Sequence, residues 1–275
     1  MKQRYNYVDK VLARYRLFLR TRHLAHHDRF LHLERADKEA AITEAVIYFI
    51  LTKISSHVDI FEHQALGGPD FQFESKRGRI LAEATCLHES TVQDASGIDP
   101  RRVEGAGSFS PLTTKLLWKV FDKSNSGQLS GKDLPLILCI ASRHTSGSIL
   151  FGRTAARDFL TGDPRISFTV GQPPPNTHLS TPLENSAFFR LSKSGNREPC
   201  RRDISAIFLV HIATFSANVV ALLHPDAFHP VTSTMFPAIP CVYVSNWPAS
   251  DGNLAINWTG PSASKTGSHC AEFLY

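Results

Sequence analysis

The sequence predicts an α/β fold built on a mixed central sheet, with a helical extension at the N-terminus. Residues 37–54 carry apolar side chains at the helical period, whereas residues 71–74 alternate apolar and polar side chains as a half-buried strand does. Residues 134–141 form an almost continuous apolar run, which is typical of a central strand buried on both faces. Helices and strands that alternate along a chain in this way indicate a layered α/β domain.

The composition is that of an ordinary globular protein and argues against several other classes. The 275 residues are 42% hydrophobic and 20% charged, which allows a full core. No run of about 18 apolar residues indicates a membrane span, and the N-terminus lacks the apolar segment of a signal peptide. Five scattered cysteines favour a reducing, cytoplasmic setting over a disulfide framework. The net charge of +5 mildly favours a polyanionic partner.

Residues 1–36 are predicted to form a basic helical extension. Residues 5–35 place apolar side chains at helical spacing among many Arg and His, which predicts one or two amphipathic helices. Their basic faces would suit contact with a DNA backbone, because Arg and Lys neutralise phosphates. A solvated helix face explains the same charges equally well, so both interpretations stay open.

A strong helix is predicted over residues 37–54, with Asp37 as its N-cap. Glu44 lies within this helix. A short alternating strand is predicted next, over residues 58–62. The chain then enters the stretch that carries the strongest functional signal.

That stretch is residues 67–87, which begin Gly-Gly-Pro-Asp. The chain continues as an alternating strand to Glu74, turns at the polar residues 75–78 and returns as a second strand. A hairpin of this kind brings Asp70, at the start of one strand, beside Glu83, toward the end of the next. Two converging carboxylates form an oxygen-rich site for a hard divalent cation such as Mg²⁺.

At these residues the chain resembles the PD-(D/E)xK nuclease superfamily, which has the restriction-endonuclease-like fold. Pro69-Asp70 corresponds to the PD element, and Glu83-Ala84-Thr85 stands where the family has (D/E)xK. The order helix, strand, strand, strand agrees with the first half of the αβββαβ core that the resemblance implies, here within residues 37–160. Thr85 departs from the motif because it replaces the lysine. Some relatives take this lysine from a nearby helix, and others have lost activity.

The resemblance implies metal-dependent hydrolysis of phosphodiester bonds, with Mg²⁺ or Mn²⁺ as the cofactor. Asp70 and Glu83 would hold the metal, and Glu44 is expected to complete the site from the preceding helix. A solvent-exposed glutamate is an equally good interpretation of Glu44. Glu74 is a weaker candidate because it lies further along the strand than Asp70.

Residues 110–123 are predicted to form a helix with a basic stripe. Lys115, Lys119 and Lys123 recur every four residues and therefore share one face. In the resembled superfamily the helix after the third strand packs beside the active site. Lys119, and after it Lys115, are therefore expected to supply the catalytic cation that Thr85 does not. A solvated lysine face is the alternative interpretation of each.

Contacts to nucleic acid are expected from two further parts of the chain. Lys123 would bind a phosphate from the basic stripe. Arg101 and Arg102 would do so from residues 87–110, a polar segment predicted to be a long loop.

Residues 122–133 also satisfy a relaxed EF-hand pattern, which would make the protein a calcium-responsive module. The segment offers only two carboxylates and runs into a proline, so a polar turn is the preferred interpretation. A fourth strand over residues 134–141 and a helix over residues 148–160 then complete the predicted core.

Residues 161–275 are predicted to extend the same domain with further strands. Residues 161–185 are rich in Pro and Gly and indicate a linker or a surface excursion. Strands are predicted within residues 186–192 and 203–223, and a turn over residues 224–230. The remainder of the chain has no assignable pattern.

The sequence thus predicts a metal-dependent nuclease-like hydrolase of nucleic acid, with DNA favoured over RNA. A cytoplasmic location without a membrane partner is expected. The alternative is a nuclease-fold protein that binds nucleic acid or has a structural role without catalysis, and the Thr85 substitution favours it. The oligomeric state stays open, a dimer included.

Overall fold

The computed structural model describes most of the chain and shows a mixed α/β fold. The described residues are 6–62, 67–97, 99, 110–125, 133–145, 151–162, 165–168, 177–180, 186–194, 196–248, 254–260 and 271–274. Within them the helices are α1 (Tyr7–Arg22), α2 (Leu24–Ala36), α3 (Lys38–Ile54), α4 (Glu89–Ser96), α5 (Ser110–Asn125) and α6 (Arg153–Thr161), with a short 3-10 helix over Ser233–Met235.

The first half of the chain has three helices, then three strands, then two helices and a strand, and strands dominate the second half. They are β1 (Val58–Ile60), β2 (Phe71–Ser75), β3 (Gly78–Cys86), β4 (Leu136–Ser142), β5 (Arg165–Phe168), β6 (Thr177–Ser180), β7 (Phe189–Leu191), β8 (Arg197–Pro199), β9 (Ala206–Ile212), β10 (Ser216–Leu223), β11 (Cys241–Val244), β12 (Ile256–Thr259) and β13 (Ala271–Leu274).

Nine of these strands form one mixed sheet in the order β1-β2-β3-β4-β9-β10-β11-β12, and β13 also pairs with β10. The first three strands are antiparallel, whereas β3, β4 and β9 run parallel. Strands β5–β6 and β7–β8 form two separate antiparallel pairs. The predicted α/β class with a mixed central sheet is confirmed. The order α3-β1-β2-β3-α5-β4 also follows the expected αβββαβ succession, with α4 as an added helix.

Two layers of helices cover the two faces of the sheet. Helices α1–α3 pack on one face, where Tyr15 and Phe71 lie in contact with ring centroids 6.2 Å apart. Helices α4–α6 contribute to the core on the other face, with Val92, Leu116 and Phe159 among its buried side chains. Every residue of β4 is buried. A strand between two apolar layers needs no polar face, which explains its continuous apolar run.

Helix α3 begins as the sequence predicts. The Asp37 carboxylate accepts a hydrogen bond from the Ala40 N–H at 3.0 Å, which satisfies one of the free donors at the helix start. Ten side chains of the helix are buried. The predicted N-terminal helices are also present, as α1 and α2, and they pack on α3.

The predicted hairpin is confirmed, and its register places the two acidic residues opposite each other. Ser75 pairs with Gly78 and Phe71 pairs with Ala82. Gly78 has φ +125°, a conformation that glycine adopts without strain. Since Asp70 directly precedes Phe71 and Glu83 directly follows Ala82, the same register brings Asp70 opposite Glu83.

The prediction of a long loop over residues 87–110 is wrong in part, because α4 occupies Glu89–Ser96. Its buried side consists of Val92 and Ser96, so the helix is held by packing although its sequence is polar. Gly97, with φ +73°, ends the helix and donates its N–H to the Gln93 carbonyl. Arg101 and Arg102 lie outside the described residues.

Three further segments contain structure that the sequence did not predict. Helix α5 continues to Asn125, so the first four residues of the segment with the EF-hand pattern, predicted to be a polar turn, are helical, and residues 126–132 lie outside the described part. Strands β5 and β6 lie within residues 161–185, the segment predicted to be a linker or a surface excursion, and they pair with each other apart from the main sheet. Strands β11 and β12 come from the segment without an assignable pattern, because they pair with a sheet that is already formed. No helix in the described residues is long and apolar enough to cross a membrane.

The predicted turn after β10 contains a buried histidine held in its neutral form. His224 Nε2 donates to the Cys200 carbonyl at 2.8 Å, and its Nδ1 accepts the Asp226 N–H at 2.9 Å. Protonation of Nδ1 would remove the second bond. Burial lowers the pKa of His224 to about 4, although the bond to Cys200 and the charge of Asp226 oppose this effect.

We expect this histidine to make the fold sensitive to acid. A pKa below the unfolded value of about 6.5 means that the unfolded chain binds the extra proton first. The contribution of neutral His224 to the free energy of unfolding is fully present above pH 6.5. It is lost as the pH falls from 6.5 to 4, and the total loss is about 3 kcal/mol. Urea unfolding at pH 7 and pH 4.5 measures this loss of stability.

His224→Asn, which keeps an acceptor for the Asp226 N–H, should lose less stability between the two pH values. If His224→Asn loses as much stability as the wild type, the prediction is contradicted. His32 is exposed, so His32→Asn is the control and should behave as the wild type does.

Candidate active site

A pocket of about 330 Å³ lies beside the start of β2 and the middle of β3. Helices α2 and α3 line it from one layer, and α5 reaches it from the other. Its charged lining consists of two cations and four carboxylates, which are Arg29, Lys123, Glu44, Glu62, Asp70 and Glu83. The three acidic residues expected to bind a metal, Asp70, Glu83 and Glu44, are therefore brought together in one pocket.

The backbone of the neighbouring strand holds the side chain of Asp70, the residue directly before β2. Its Oδ2 accepts the Ala84 N–H at 2.7 Å. Burial raises the pKa of Asp70 well above its usual value, and the charges of Glu83 and Glu44 raise it further. Asp70 as a residue is half-buried and lines the pocket.

Glu44 comes from the middle of α3 and is not the solvent-exposed glutamate of the alternative interpretation. The Tyr15 hydroxyl donates a hydrogen bond to Glu44 Oε1 at 2.6 Å. Burial raises the pKa of Glu44, and the bond from Tyr15 and the charge of Arg29 oppose the rise. A single helix residue is thus aimed into the pocket by a partner 29 positions earlier in the chain.

Glu83 lies at the centre of β3, and only 4% of its surface is exposed. Its Oε1 forms an ion pair with the Lys123 ammonium group, while Oε2 is buried without a hydrogen-bond partner within the described residues. Burial raises the pKa of Glu83, and the charge and hydrogen bond of Lys123 counteract this. A buried carboxylate oxygen without a partner is costly unless something binds it.

Lys123 is the lysine that α5 brings to the pocket. The sequence predicts Lys119 first and Lys115 second for this position, but neither lines the pocket. Lys119 is half-buried and lies one turn before Lys123 on α5, and Lys115 is exposed and lies two turns before it. Thr85, which replaces the motif lysine, is buried, and its hydroxyl has no hydrogen-bond partner in the described part of the chain.

Sequence reasoning missed Glu62 and Arg29, which form an ion pair at the edge of the pocket. Strand β1 ends at Ile60, two residues before Glu62, and the Phe61 N–H donates to the Asp70 carbonyl at 2.9 Å. An acidic residue two positions after the strand that pairs with β2 is a usable signal. Arg29 gave no such signal, because it is one of many basic residues in the N-terminal helices. Glu74 is exposed near the hairpin turn, away from the pocket.

Negative charge exceeds positive charge in this pocket. Arg29 and Lys123 each pair with one glutamate, whereas Asp70 and Glu44 accept hydrogen bonds from uncharged donors. Four carboxylates against two cations explain why neighbouring acids raise the pKa of Asp70. A divalent cation would reduce this repulsion, and carboxylate oxygens are the ligands that Mg²⁺ and Mn²⁺ prefer.

The carboxylates are close to one another without being assembled around an ion. Across the described ranges, no three His, Cys, Asp or Glu side chains are already arranged to hold a metal. Tyr15, Lys123 and the Ala84 N–H engage the oxygens instead. The unpartnered Glu83 Oε2, next to Asp70 in the same pocket, fits a hard cation by its chemistry.

No family model matches this chain, and no curated protein or solved structure matches it significantly. The pocket must therefore be interpreted from its own residues. Its distinguishing combination is three acidic residues, one from α3 and two from the β2–β3 hairpin, with Lys123 from α5.

Proposed function

We propose that the protein is a metal-dependent nuclease-like hydrolase that cleaves phosphodiester bonds in nucleic acid, with DNA preferred over RNA as the substrate. The supporting observation is the convergence of Glu44, Asp70, Glu83 and Lys123 in one pocket. These residues come from separate elements of an α-β-β-β-α-β succession, which is the arrangement that the resemblance to PD-(D/E)xK nucleases leads one to expect.

In this proposal Asp70 and Glu83, with Glu44, would hold Mg²⁺ or Mn²⁺. The bound cation would activate water and stabilise the charge of the phosphodiester transition state. Lys123 would place its ammonium group beside the same phosphate, where it would stabilise developing negative charge. The lysine that the motif lacks at Thr85 would thus be supplied from α5.

Contacts to the rest of the substrate would come from the basic face of α5. Lys115 is exposed and Lys119 half-buried on the helix that delivers Lys123, so a phosphate backbone could follow this helix into the pocket. We place the activity in the cytoplasm, and the free thiols of Cys86, Cys139, Cys200 and Cys241 support a reducing setting.

Cleavage assays on labelled oligonucleotides test the proposal. Single-stranded and double-stranded DNA and RNA are incubated with the protein and Mg²⁺ or Mn²⁺, and in parallel with a chelator. We expect cleavage only with the metal, and faster cleavage of DNA than of RNA. Cleavage that persists in the chelator, or that is absent with both metals on all four substrates, would overturn it.

The second candidate is a nuclease-fold protein that binds nucleic acid without cleaving it. The ion pairs and hydrogen bonds that already engage all four carboxylates favour this alternative, together with Thr85 in place of the lysine. It predicts oligonucleotide binding that is independent of a divalent cation. Binding with equal affinity in Mg²⁺ and in chelator, without cleavage, would support it.

A further inference from the structure

Helix α5 exposes two aromatic side chains on the side that faces away from the core. Trp118 is 57% exposed and Phe121 is 45% exposed, whereas Leu116 and Val120, on the opposite side of the helix, are fully buried. The two rings contact each other edge to face, with ring centroids 5.8 Å apart and an interplanar angle of 79°. Such a contact covers only one ring face, so aromatic surface stays open to solvent. Exposed apolar side chains that adjoin one another indicate a binding surface.

Two rows of side chains start at Lys115 and diverge along α5. The row at every third residue continues through Trp118 to Phe121, and the row at every fourth residue continues through Lys119 to Lys123. Because residues three and four apart are neighbours on a helix surface, an aromatic row runs beside a lysine row. Lys123, at the end of the lysine row, lines the candidate active site. The aromatic rings therefore lie next to the lysines that lead to that pocket.

The second lysine of the row also acts on the pocket. Burial raises the pKa of the Cys86 thiol to about 11, and the positive charge of Lys119 is among the effects that oppose this rise. Cys86 lines the candidate active site. Lys119 is therefore near enough to the pocket lining for its charge to be felt there, although it does not line the pocket itself.

The charges around the aromatic pair favour a polyanionic partner. The sequence of α5 contains three lysines and a single acid, Asp122, which follows Phe121 directly. Lysine is depleted in protein–protein interfaces, so a protein partner fits this surface poorly. A nucleic-acid strand fits both rows, because its phosphates pair with lysines and its bases stack on aromatic rings.

Stacking on these rings requires bases whose faces are free. In a duplex, neighbouring base pairs cover the faces of each base, whereas a single strand can present a face at every nucleotide. The aromatic row therefore distinguishes between the two forms of nucleic acid, which the lysine row alone does not.

We propose that Trp118 and Phe121 form a stacking platform for the unpaired bases of a single-stranded nucleic acid, whose phosphates follow the lysine row to the candidate active site. The inference rests on the proposed function, because it names single-stranded nucleic acid as the substrate class of that same site. Every base has a face that can stack, so the platform binds without sequence preference.

Binding of three labelled probes to the full chain in a chelator, measured by fluorescence anisotropy, tests the platform. The probes are oligo-dT, an abasic oligomer of the same length, and the duplex of oligo-dT with oligo-dA. The first two carry the same phosphates and differ only in their bases. We expect oligo-dT to bind at least about tenfold more tightly than the abasic oligomer. It should also bind more tightly than the duplex, although the duplex has the higher charge density.

Substitutions separate stacking from charge. Trp118→Ala and Phe121→Ala should each weaken oligo-dT binding by about tenfold and leave binding of the abasic oligomer unchanged. Trp118→Phe keeps a ring and should retain most of the affinity. Lys115→Met should weaken binding of both single-stranded probes by the same factor, because it removes a phosphate contact. Phe215→Ala is the control, since Phe215 is a 74% exposed aromatic side chain between β9 and β10, and it should bind as the wild type does.

The alanine variants should fold, because both side chains are exposed and alanine favours a helix more than either aromatic residue does. Melting temperatures check this. Equal affinity for oligo-dT and the abasic oligomer, tighter binding of the duplex, or wild-type affinity of both alanine variants for oligo-dT would overturn the proposal. A wild-type dimer that Trp118→Ala converts to a monomer in sedimentation would also overturn it, because the rings would then contact a second copy of the chain.

The result is separable from that of the cleavage assay. Binding in a chelator requires no bond cleavage, so a preference for oligo-dT that depends on the two rings supports the platform even where no substrate is cleaved. Metal-dependent cleavage without that preference would support the proposed hydrolysis and overturn the platform alone.

Discussion

Asp70→Asn should reduce metal-dependent cleavage by at least about 100-fold while leaving the fold intact. Asn keeps the size of the side chain and an oxygen that can accept the Ala84 N–H, so the hairpin is not disturbed. The substitution removes the negative charge that would hold the cation. Because burial, Glu83 and Glu44 all raise the pKa of Asp70, losing its charge should leave the melting temperature of the metal-free protein unchanged or higher.

Initial cleavage rates at saturating Mg²⁺ or Mn²⁺, with thermal melts in a chelator, measure both effects. Glu74→Gln is the matched control, because it removes a carboxylate from the same hairpin at an exposed position. It should cleave at the wild-type rate. If Asp70→Asn also cleaves at the wild-type rate, this pocket is not the active site, whatever activity the protein has.

Lys123→Met should lower the cleavage rate by about 100-fold or more and also destabilise the fold. The lost ammonium group leaves Glu83 as a buried carboxylate without its ion-pair partner. Breaking a fully buried pair costs roughly 3–5 kcal/mol. Since the Lys123 side chain is 29% exposed, solvent screens part of the ion pair. The free energy of unfolding should therefore fall by about 2 kcal/mol.

Two further variants separate catalysis from stability. Lys123→Met combined with Glu83→Gln removes both charges, so it should recover most of the stability but none of the activity. Lys119→Met, one helical turn away and outside the pocket, should have the smaller effect on cleavage. A larger loss of activity for Lys119→Met than for Lys123→Met would show that the lysine assigned from the sequence is the functional one.

The sequence suffices for features that are set by local patterns. The apolar period and N-cap define α3, and the two-residue turn between Ser75 and Gly78 fixes the hairpin register. That register alone places Asp70 opposite Glu83. The central strand β4 follows in the same way from its apolar run, because only a strand covered on both faces tolerates such a sequence.

Features that depend on how elements pack could not be obtained this way. The helical period shows that Lys115, Lys119 and Lys123 share a face of α5, but which of them reaches β3 depends on where the helix lies along the strand. The pairing of Arg29 with Glu62 spans 33 residues and follows from the docking of α2 near the end of β1. Helix α4 is polar in sequence, and its burial against the core decides its structure.

The N-terminal helices contribute to the pocket as well as to the core. Tyr15 on α1 positions Glu44, and Arg29 on α2 pairs with Glu62. A fragment beginning at Asp37 would expose the apolar side of α3 to water and deprive both glutamates of their donors. Truncated versions prepared for crystallisation or expression should therefore start ahead of Tyr7, since a shorter chain would be prone to aggregate and its inactivity would be uninformative.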